Sequence, residues 1–586
     1  MSFCETGAEQ KGFDKETGVS GRYKIRWFVY IISIAAAICL CLFLNDVRQE
    51  PEEAEREETE GTQGLSVLAY AADGEKCCEI VPWYAAGEEV WLLFLPDWAA
   101  SLSFSEDILL NGQMLEKGEK VEAGADKNYG NMSAFEVDCG GEPLHMEAVE
   151  LSRLPALFID TATGNLESLK QDKKNEEEIM LSAFDMTGEG ETKASGRMHC
   201  RGNVTFEMAE KKSYTLEFAQ SVDFYGMGAA GKWILLSNVF DSTSIRNYLT
   251  FYMAERMNLY GTPEAQWVDL FANGEYQGIY LLCEKVEIGE ERLDIRDQDR
   301  ISAEQNDLEA VKKSAFYVIS DNGQEVVSKG FRLEKEPEDI SGGYLLELEA
   351  MPERYAEGKS GFISDQGQRV VIESPKYASP SQVSYISGLY QKLEDTLYSG
   401  DETQKEAFLE YMDLDSITGK YLIEEFSKNV DASMSSCFLY KPEDAVSTKL
   451  YAGPVWDYDR AYGNMSNLGE GLDMRTPEDL YVRDGYYGTP FWLYFCLNPV
   501  FEENVRKVYK EEMLPLIEEC VQEKIPLWEE QIRASVYADL RRWPDKEEEV
   551  RDFQGLSYEE KVDRLKEFMT VRAAWLKQEW GVDSDG

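Results

Sequence analysis

The sequence predicts an α+β protein in which a β-rich part is followed by a helical part. Alternating apolar runs separated by turn residues dominate up to about residue 295, whereas apolar residues recur at helical spacing beyond residue 379. The chain of 586 residues is long enough for a large core and more than one domain. Strands first and helices second predict two lobes with a cleft between them.

The composition narrows the class of function. A formal net charge of −52 argues against nucleic-acid binding, because neutralising phosphates requires a basic surface. The chain has two histidines, His145 and His199, without partner spacing, which disfavours a histidine-based triad or metal site. Its eleven cysteines include no CxxC pair, so a zinc site is not indicated, although one or two disulfide bridges remain possible.

The N-terminal region predicts a single-pass membrane anchor. Residues 27–44 read WFVYIISIAAAICLCLFL, and eighteen helical residues rise about 27 Å, close to the thickness of a bilayer core. The core of a signal peptide is the alternative, but no small-x-small cleavage site follows. Basic residues lie in the tail, residues 1–26, and acids follow the span, which puts the N-terminus in the cytoplasm and the bulk of the chain outside.

Two segments separate this anchor from the main domain. Residues 45–64 are rich in glutamate with little to bury and predict a solvated linker. Residues 65–152 contain short apolar runs, such as LSVLAYA, VWLLFLP and SAFEVDC, which predict a small β-rich, sandwich-like module. No motif in this module carries chemistry, so a spacer or adhesive role is expected.

The main domain is predicted over residues 153–480. Its β-rich lobe, about 153–295, contains the strand-like runs LPALFIDT, KKSYTLEF and KWILLSNVF, then the helical run DSTSIRNYLTFYMAERM. A hairpin is predicted at Asn273 and Gly274, because this dipeptide is the strongest short-range hairpin signal.

The second half of the domain is expected to be mostly helical. A charged, irregular insertion is predicted at about 296–341, with AFYVIS as a candidate strand. The helical lobe starts from about 342 with the core run GGYLLELE and continues in helices such as SQVSYISGLYQKLEDTLYS and DSITGKYLIEEFSKN. Residues 481–586 form a helical C-terminal extension of this lobe.

The strongest chemical signal is the stretch GPVWDYDRAYGN. Asp457 and Asp459 lie one residue apart after the strand-like run KLYAGPVW, so an extended chain would point both carboxylates the same way. Like charges held together favour a cation between them, and Mg²⁺ prefers carboxylate oxygens. The alternative is a loop in which one aspartate caps the next helix.

A third aspartate completes a pattern that suits phosphoryl transfer. Asp431 lies where the helix DSITGKYLIEEFSKN stops, and a predicted hairpin separates it from Asp457. In such reactions one carboxylate receives the hydroxyl proton and a second holds the metal on the nucleotide phosphates. Taken alone, Asp431 could equally be a turn aspartate.

Cations that could bind phosphate occur in HCRGNVTFEMAEKKSYTLEF. Arg201 and Asn203 flank a glycine that allows close backbone approach to an anion. Lys211 and Lys212 enter a strand, where a solvated edge is the alternative role. Alternation places Lys212 on the face of Tyr214, so we expect Lys212 to face inward.

These segments resemble the CotH family of atypical protein kinases, first associated with bacterial spore coats. The matching blocks are RGNVTF, KKSYTLEF, KWILLSN, IRNYLTFYMAERM, LFANGEYQGIYLLCEKVEI, GGYLLELE, EEFSKNVDASMSSCFLYK and GPVWDYDRAYGN, in the family's order. They extend over about residues 154–464. The resemblance implies a divergent two-lobed protein-kinase-like fold that binds ATP and Mg²⁺ (or Mn²⁺).

The resemblance also implies roles for residues near the phosphates. Asp431 would be the catalytic aspartate, and Asp457 would hold the metal, which Asp459 either shares or assists by steadying the turn. Lys212 would contact the nucleotide phosphates. Many relatives have a metal-binding asparagine five residues beyond the catalytic aspartate, where this chain has Ser436, a weaker ligand.

Further roles concern the rest of the nucleotide. Arg201 and Asn203 would shape the loop that faces the phosphates. Glu284 and Val286 would lie where a strand leads into the inter-lobe connection, whose backbone could meet adenine.

The expected function is that of a membrane-anchored CotH-type kinase that phosphorylates serine or threonine of a surface or coat protein with Mg-ATP. The main alternative is a weakly active or inactive kinase-like scaffold for assembly of the cell envelope or spore coat. Transfer of AMP instead of phosphate is a third possibility.

Overall fold

The computed structural model describes residues 65–75, 77–122, 135–138, 143–400, 402–432, 434–465, 473–483, 491–544 and 553–582. These residues form sheets and helices, which confirms the α+β prediction. The predicted tail, membrane span and acidic linker, residues 1–64, lie outside them. Within the described ranges, no helix combines the length and hydropathy that a membrane span needs.

The described residues between 65 and 150 form strands and turns, and their strands make two sheets around a shared apolar core. One sheet has the strand order β2-β1-β5-β8 and the other the order β3-β4-β10-β9-β6-β7. Alternate residues of β1 and β2 are buried, as expected when one face of a strand packs on the core. The strands in this part of the described chain are Val67–Tyr70 (β1), Cys77–Ile80 (β2), Trp83–Ala85 (β3), Val90–Leu95 (β4), Ser101–Phe104 (β5), Ile108–Leu110 (β6), Gln113–Leu115 (β7), Val121–Glu122 (β8), Phe135–Asp138 (β9) and Leu144–Glu150 (β10).

The next strands close into a barrel with the order β11-β12-β13-β14-β15-β17-β16. The parallel pairing of β11 with β16 closes it, and the other neighbours pair antiparallel. The predicted hairpin at Asn273 and Gly274 joins β16 to β17, with both residues at positive φ. The barrel strands are Ala156–Thr161 (β11), Glu176–Phe184 (β12), Glu191–Arg201 (β13), Ser213–Asp223 (β14), Ala229–Leu236 (β15), Ala265–Ala272 (β16) and Glu275–Glu284 (β17).

A second large sheet follows, with the order β18-β19-β21-β22-β20-β23-β24. We expected an irregular insertion at about 296–341, but this stretch contains two helices and the strands β18 and β19, which extend the sheet. Many of its charged residues are exposed, so hydropathy alone gives little sign of the ordered segment. The strands are Ala315–Ile319 (β18), Val326–Phe331 (β19), Tyr344–Glu349 (β20), Ser360–Ile363 (β21), Arg369–Ser374 (β22), Cys437–Lys441 (β23) and Tyr451–Ala452 (β24).

Helices pack around the barrel and this sheet, and the last ones return to the barrel. Trp543 Nε1 donates to the carbonyl of Gln277 in β17 at 2.9 Å, so the C-terminal region covers a barrel strand. The helices of the described chain are Glu167–Gln171 (α1), Val204–Met208 (α2), Arg246–Arg256 (α3), Gln298–Gln305 (α4), Leu308–Lys312 (α5), Pro352–Glu357 (α6), Pro380–Tyr398 (α7), Leu414–Ser427 (α8), Phe491–Cys496 (α9), Pro499–Val508 (α10), Leu514–Glu519 (α11), Ile525–Arg542 (α12) and Tyr558–Glu579 (α13), with short 3₁₀ turns at Glu402–Gln404 and Ala407–Glu410 and π turns at Tyr509–Met513 and Cys520–Lys524.

Candidate active site

The loop that carries the paired aspartates begins directly after β24. An extended chain through Trp456 would turn both carboxylates to one face, but the strand ends at Ala452 and Asp457 has a φ of +69°. This left-handed conformation is uncommon outside glycine, although aspartate adopts it more readily than most residues. Asp457 is consequently exposed and Asp459 half-buried, with Tyr458 fully buried between them.

The three predicted site aspartates nevertheless act on one another. Burial raises the pKa of Asp431 to about 6, and the charge of Asp457 adds to this shift. Burial and then the charge of Asp457 also raise the pKa of Asp459 well above its ordinary value. The structure therefore brings Asp431, Asp457 and Asp459 into one acidic cluster.

The connection after α8 positions Asp431. The helix ends at Ser427, and Lys428 turns the chain with a φ of +52°. The side chain of Asn429 then accepts a hydrogen bond from the Asp431 N–H at 3.2 Å. Asp431 is half-buried at the start of a tight turn, since its carbonyl accepts the N–H of Met434 at 2.8 Å.

A buried carboxylate joins the two aspartate loops. Glu424 of α8 accepts a hydrogen bond from Tyr458 Oη at 2.7 Å and another from Asn429 Nδ2 at 2.8 Å. Lys420 forms an ion pair with the same carboxylate. The Tyr458 N–H donates to Asn247 Oδ1 of α3 at 2.7 Å, so the loop is fixed from both sides. Sequence reasoning missed Glu424, although a glutamate inside an apolar helical run is a usable signal.

Arg201 reaches this acidic cluster from the end of β13. Its guanidinium carbon lies 4.9 Å from the centre of the Trp456 ring, and the charge of Asp457 acts on it. Within the described part of the chain, its Nη1 is buried without a hydrogen-bond partner. A buried guanidinium nitrogen without an acceptor costs free energy, which an anion bound beside it would recover.

Asn203 lies on the same turn, just before α2. Its Oδ1 accepts a hydrogen bond from Lys173 Nζ at 2.8 Å. The residue also lines a cavity of about 340 Å³ that the second sheet and α6 form on the other side. Asn203 therefore lies at the boundary between the barrel and the sheet.

Lys211 and Lys212 lie away from the aspartate cluster. Lys212 is half-buried, and its Nζ donates to the carbonyls of Phe206 and Ala209, both at 2.6 Å. The charges that act on it are those of Cys200, Lys170 and Glu210, with no aspartate of the site among those found in the described chain. Alternation predicts that Lys212 faces inward, but Lys211 is the more buried lysine, because α12 covers it with Asp539.

The two residues expected near adenine lie at the end of β17. The carboxylate of Glu284 is buried, forms an ion pair with Arg292, and accepts the N–H of Glu264 at 2.9 Å. Burial raises the pKa of Glu284 to about 7. Val286 is half-buried two residues beyond the strand.

Ser436 adjoins two glutamates that sequence reasoning did not assign to the site. Its N–H donates to Glu347 Oε1 at 2.7 Å, and its backbone has a φ of +56°. Burial and nearby carboxylates raise the pKa of Glu347 to about 7 and that of Glu349 to about 9. Oε2 of Glu349 is buried without a partner among the described residues. The alternation in GGYLLELE, which puts two glutamates on one face of an apolar strand, was the available signal.

The cavity beside these glutamates is strongly charged. The charge of Asp431 acts on Glu349 and that of Asp457 on Glu347, so the cavity adjoins the aspartate cluster. Its lining residues are Asn203, Glu347, Glu349, Arg354, Glu357, Gly358, Lys359, Val371, Ile372, Glu373 and Lys376.

The carboxylates of this site fit a metal ion that is bound together with substrate phosphates. Within the described ranges, no group of three or more carboxylates, histidines or cysteines is spaced to hold a metal ion. Mg²⁺, however, is usually bound through one or two carboxylates together with substrate phosphates. Asp457 with Asp459 could supply those carboxylates, and their mutual repulsion would be relieved by a cation.

The fold and the site define an α+β protein in which a barrel arginine and three interacting aspartates share one acidic site. A comparison with protein families gives the particular class: the family model described as CotH kinase protein matches residues 198–576. The match spans more than half of the chain, so the chain belongs to the CotH kinase family, which confirms the resemblance. No curated protein sequence matches this chain.

Proposed function

We propose that the protein is a Mg-ATP-dependent (or Mn-ATP-dependent) protein kinase that phosphorylates serine or threonine of a surface or coat protein. The observation that carries this proposal is the position of Arg201. Its buried Nη1 lacks a hydrogen-bond partner among the described residues, beside Asp457 and the Trp456 ring. A nucleotide phosphate would satisfy this donor, and family membership supports a kinase-like activity.

The acidic cluster suggests how the transfer would proceed. Arg201 would bind and orient the phosphates, and Asp457 with Asp459 would hold the metal, which neutralises phosphate charge. Asp431 accepts the proton of the substrate hydroxyl, while the oxygen of that hydroxyl forms a bond to the γ-phosphorus. The bond from that phosphorus to the β,γ-bridging oxygen breaks, and ADP leaves.

The predicted anchor gives this activity a location. The apolar stretch 27–44 supports a single span, with the kinase domain on the outer side of the membrane. Membrane attachment and a surface substrate belong to the proposal on the strength of the sequence.

Transfer of labelled γ-phosphate to a serine- or threonine-bearing acceptor tests the proposed reaction. We expect Asp431→Asn to lower kcat by about 10²-fold or more while the protein stays folded, because the proton acceptor is lost. Asp415→Asn is a matched control, since Asp415 is exposed in the first turn of α8. Equal transfer by wild type and Asp431→Asn would refute the assignment of Asp431.

A scaffold without catalysis is the second candidate, and Ser436 favours it. This serine replaces a metal-binding amide of many relatives, and its N–H is already bonded to Glu347. Thermal unfolding with Mg-ATP separates the candidates in combination with the transfer assay, because a bound nucleotide stabilises the fold by mass action. Stabilisation without transfer would favour the scaffold, and the mass of a modified product would distinguish phosphate from AMP.

A further inference from the structure

Arg354 is a positively charged residue that lines the cavity beside Glu347 and Glu349. It lies outside the sequence motifs quoted above. It lies on α6, directly after β20, and its side chain is 35 % exposed. Its Nη1 donates to Ser435 Oγ at 2.6 Å, which is the single hydrogen bond of this guanidinium within the described chain. Glu349 Oε1 lies 3.9 Å away, beyond hydrogen-bond distance. A guanidinium has five N–H donors, so most of its donor capacity is left for a ligand.

The surroundings of Arg354 are those of the proposed active site. The side chain lines the cavity of about 340 Å³ together with Asn203, Glu347 and Glu349. Its positive charge acts on Asp431 and on Asp457. Arg354 therefore faces the acidic cluster from the side of the sheet, whereas Arg201 reaches it from the barrel.

A triphosphate that enters this cluster needs more than one cation. The aspartates and glutamates repel it, and Lys212, the lysine predicted to bind the phosphates, donates to backbone carbonyls instead. Its neighbour Lys211 pairs with Asp539. Arginine suits the task, because its planar fork matches two phosphate oxygens at once.

We propose that Arg354 is a phosphate-binding residue of the nucleotide site, acting with Arg201 from the opposite wall. This inference rests on the proposed function and deepens it: two arginines, one from each side of the cleft, replace the lysine expected from the sequence. Each would donate to non-bridging oxygens of the β- and γ-phosphates.

A structural role for Arg354 makes a different prediction. Its hydrogen bond to Ser435 could merely steady the turn that follows Asp431. Ser435→Ala removes that bond and leaves the guanidinium in place, so it separates the two roles. Arg332→Gln is the matched charge control, because Arg332 is exposed and is not among the cavity-lining residues.

The test measures binding of Mg-ATP and of adenosine to the full chain by calorimetry. For Arg354→Gln we expect about a tenfold or greater loss of affinity for Mg-ATP, as for one charge-assisted contact, and adenosine affinity within about twofold of wild type. Ser435→Ala and Arg332→Gln should retain Mg-ATP affinity. Arg354→Lys, which keeps the charge without the fork, should fall between.

The outcomes that overturn the inference are distinct. Unchanged Mg-ATP affinity in Arg354→Gln would overturn it, and so would an equal loss in Ser435→Ala or an equal loss for adenosine. A wild-type chain that binds neither ligand would overturn the proposed function and this inference with it.

Discussion

Lys211 Nζ lies 2.6 Å from Asp539 Oδ1, and each side chain is only 1 % exposed. The lysine also donates to the carbonyls of Ile279 and Ser237, at 2.7 and 3.1 Å. The ion pair thus ties the entrance of β14 to helix α12, more than three hundred residues further along the chain. Its role is to join two distant parts of the chain, which explains why a lysine placed among candidate phosphate ligands is fully buried.

Asp539→Asn should destabilise the protein by about 3–5 kcal/mol, because it leaves a buried lysine without its counter-charge. Urea unfolding of the two proteins measures the difference. A control is Asp563→Asn, which removes an exposed partner of Lys566 and should change stability by less than about 1 kcal/mol. Equal effects of the two substitutions would contradict the importance of the buried pair.

Tyr458→Phe should lower both stability and catalysis. The change removes the hydroxyl that donates to Glu424 and leaves a buried carboxylate with one partner fewer, at a cost of about 1–3 kcal/mol. Because Tyr458 stands between Asp457 and Asp459, we expect kcat to fall more than the affinity for the protein substrate. Tyr537→Phe, with its partly exposed hydroxyl bond to Glu559, is the control and should leave kcat unchanged.

Substitutions of Arg201 and Lys212 test which of these barrel residues binds the nucleotide phosphates. Arg201→Ala should weaken Mg-ATP binding by about tenfold or more, because its unpartnered nitrogen lies beside Asp457. Lys212→Ala should change that affinity by less than about threefold, since Phe206 and Ala209 already accept its hydrogen bonds. The reverse order would restore the original assignment of Lys212.

The pKa of Asp431 predicts an acid limb in the pH profile of kcat/KM. Burial raises this pKa from 3.8 to about 6. A proton acceptor must be ionised, so activity should rise as pH increases through about 6 and fall below it. Steady-state rates from pH 4.5 to 8 measure this limb, and a limb centred near pH 4 would contradict the raised pKa.

Glu349 predicts a pH dependence of stability. Its pKa rises from 4.5 to about 9 on folding, so the folded state holds the proton more tightly between these values. The stabilisation from this group is therefore complete below about pH 4.5 and is lost as pH rises towards 9. Glu349→Gln should make the free energy of unfolding less dependent on pH over this range. Denaturant titrations at pH 5 and pH 8.5 would measure the change in the free energy of unfolding between the two pH values. An identical change in wild type and Glu349→Gln would contradict the prediction.

The sequence predicts structural elements well where a pattern of neighbouring residues specifies them. The turn chemistry of Asn273 and Gly274 specified the hairpin between β16 and β17. Asp431 and Asp457 lie close enough for the charge of Asp457 to act on Asp431, and their roles in catalysis stay a prediction. The hairpin depends on short-range geometry, which the residues of the turn themselves determine.

Other features depend on contacts between residues far apart in the chain. Alternation compares Lys211 with Lys212 but contains no information about α12, which buries the lysine that alternation left outside. Arg354 and Glu349 meet the aspartate loops because β20 pairs with β23. Pairing of this kind joins segments about ninety residues apart, and no local pattern predicts it.

The covering of the barrel by α12 has a consequence for synthesis of the chain. Lys211 has no ion-pair partner, and β17 lacks the Trp543 hydrogen bond, until about three hundred further residues have been translated, since Asp539 and Trp543 come late in the chain. A product that terminates before residue 525 would expose Lys211 and the flank of β17 to water. Premature termination should therefore yield material for proteolysis rather than a smaller stable protein.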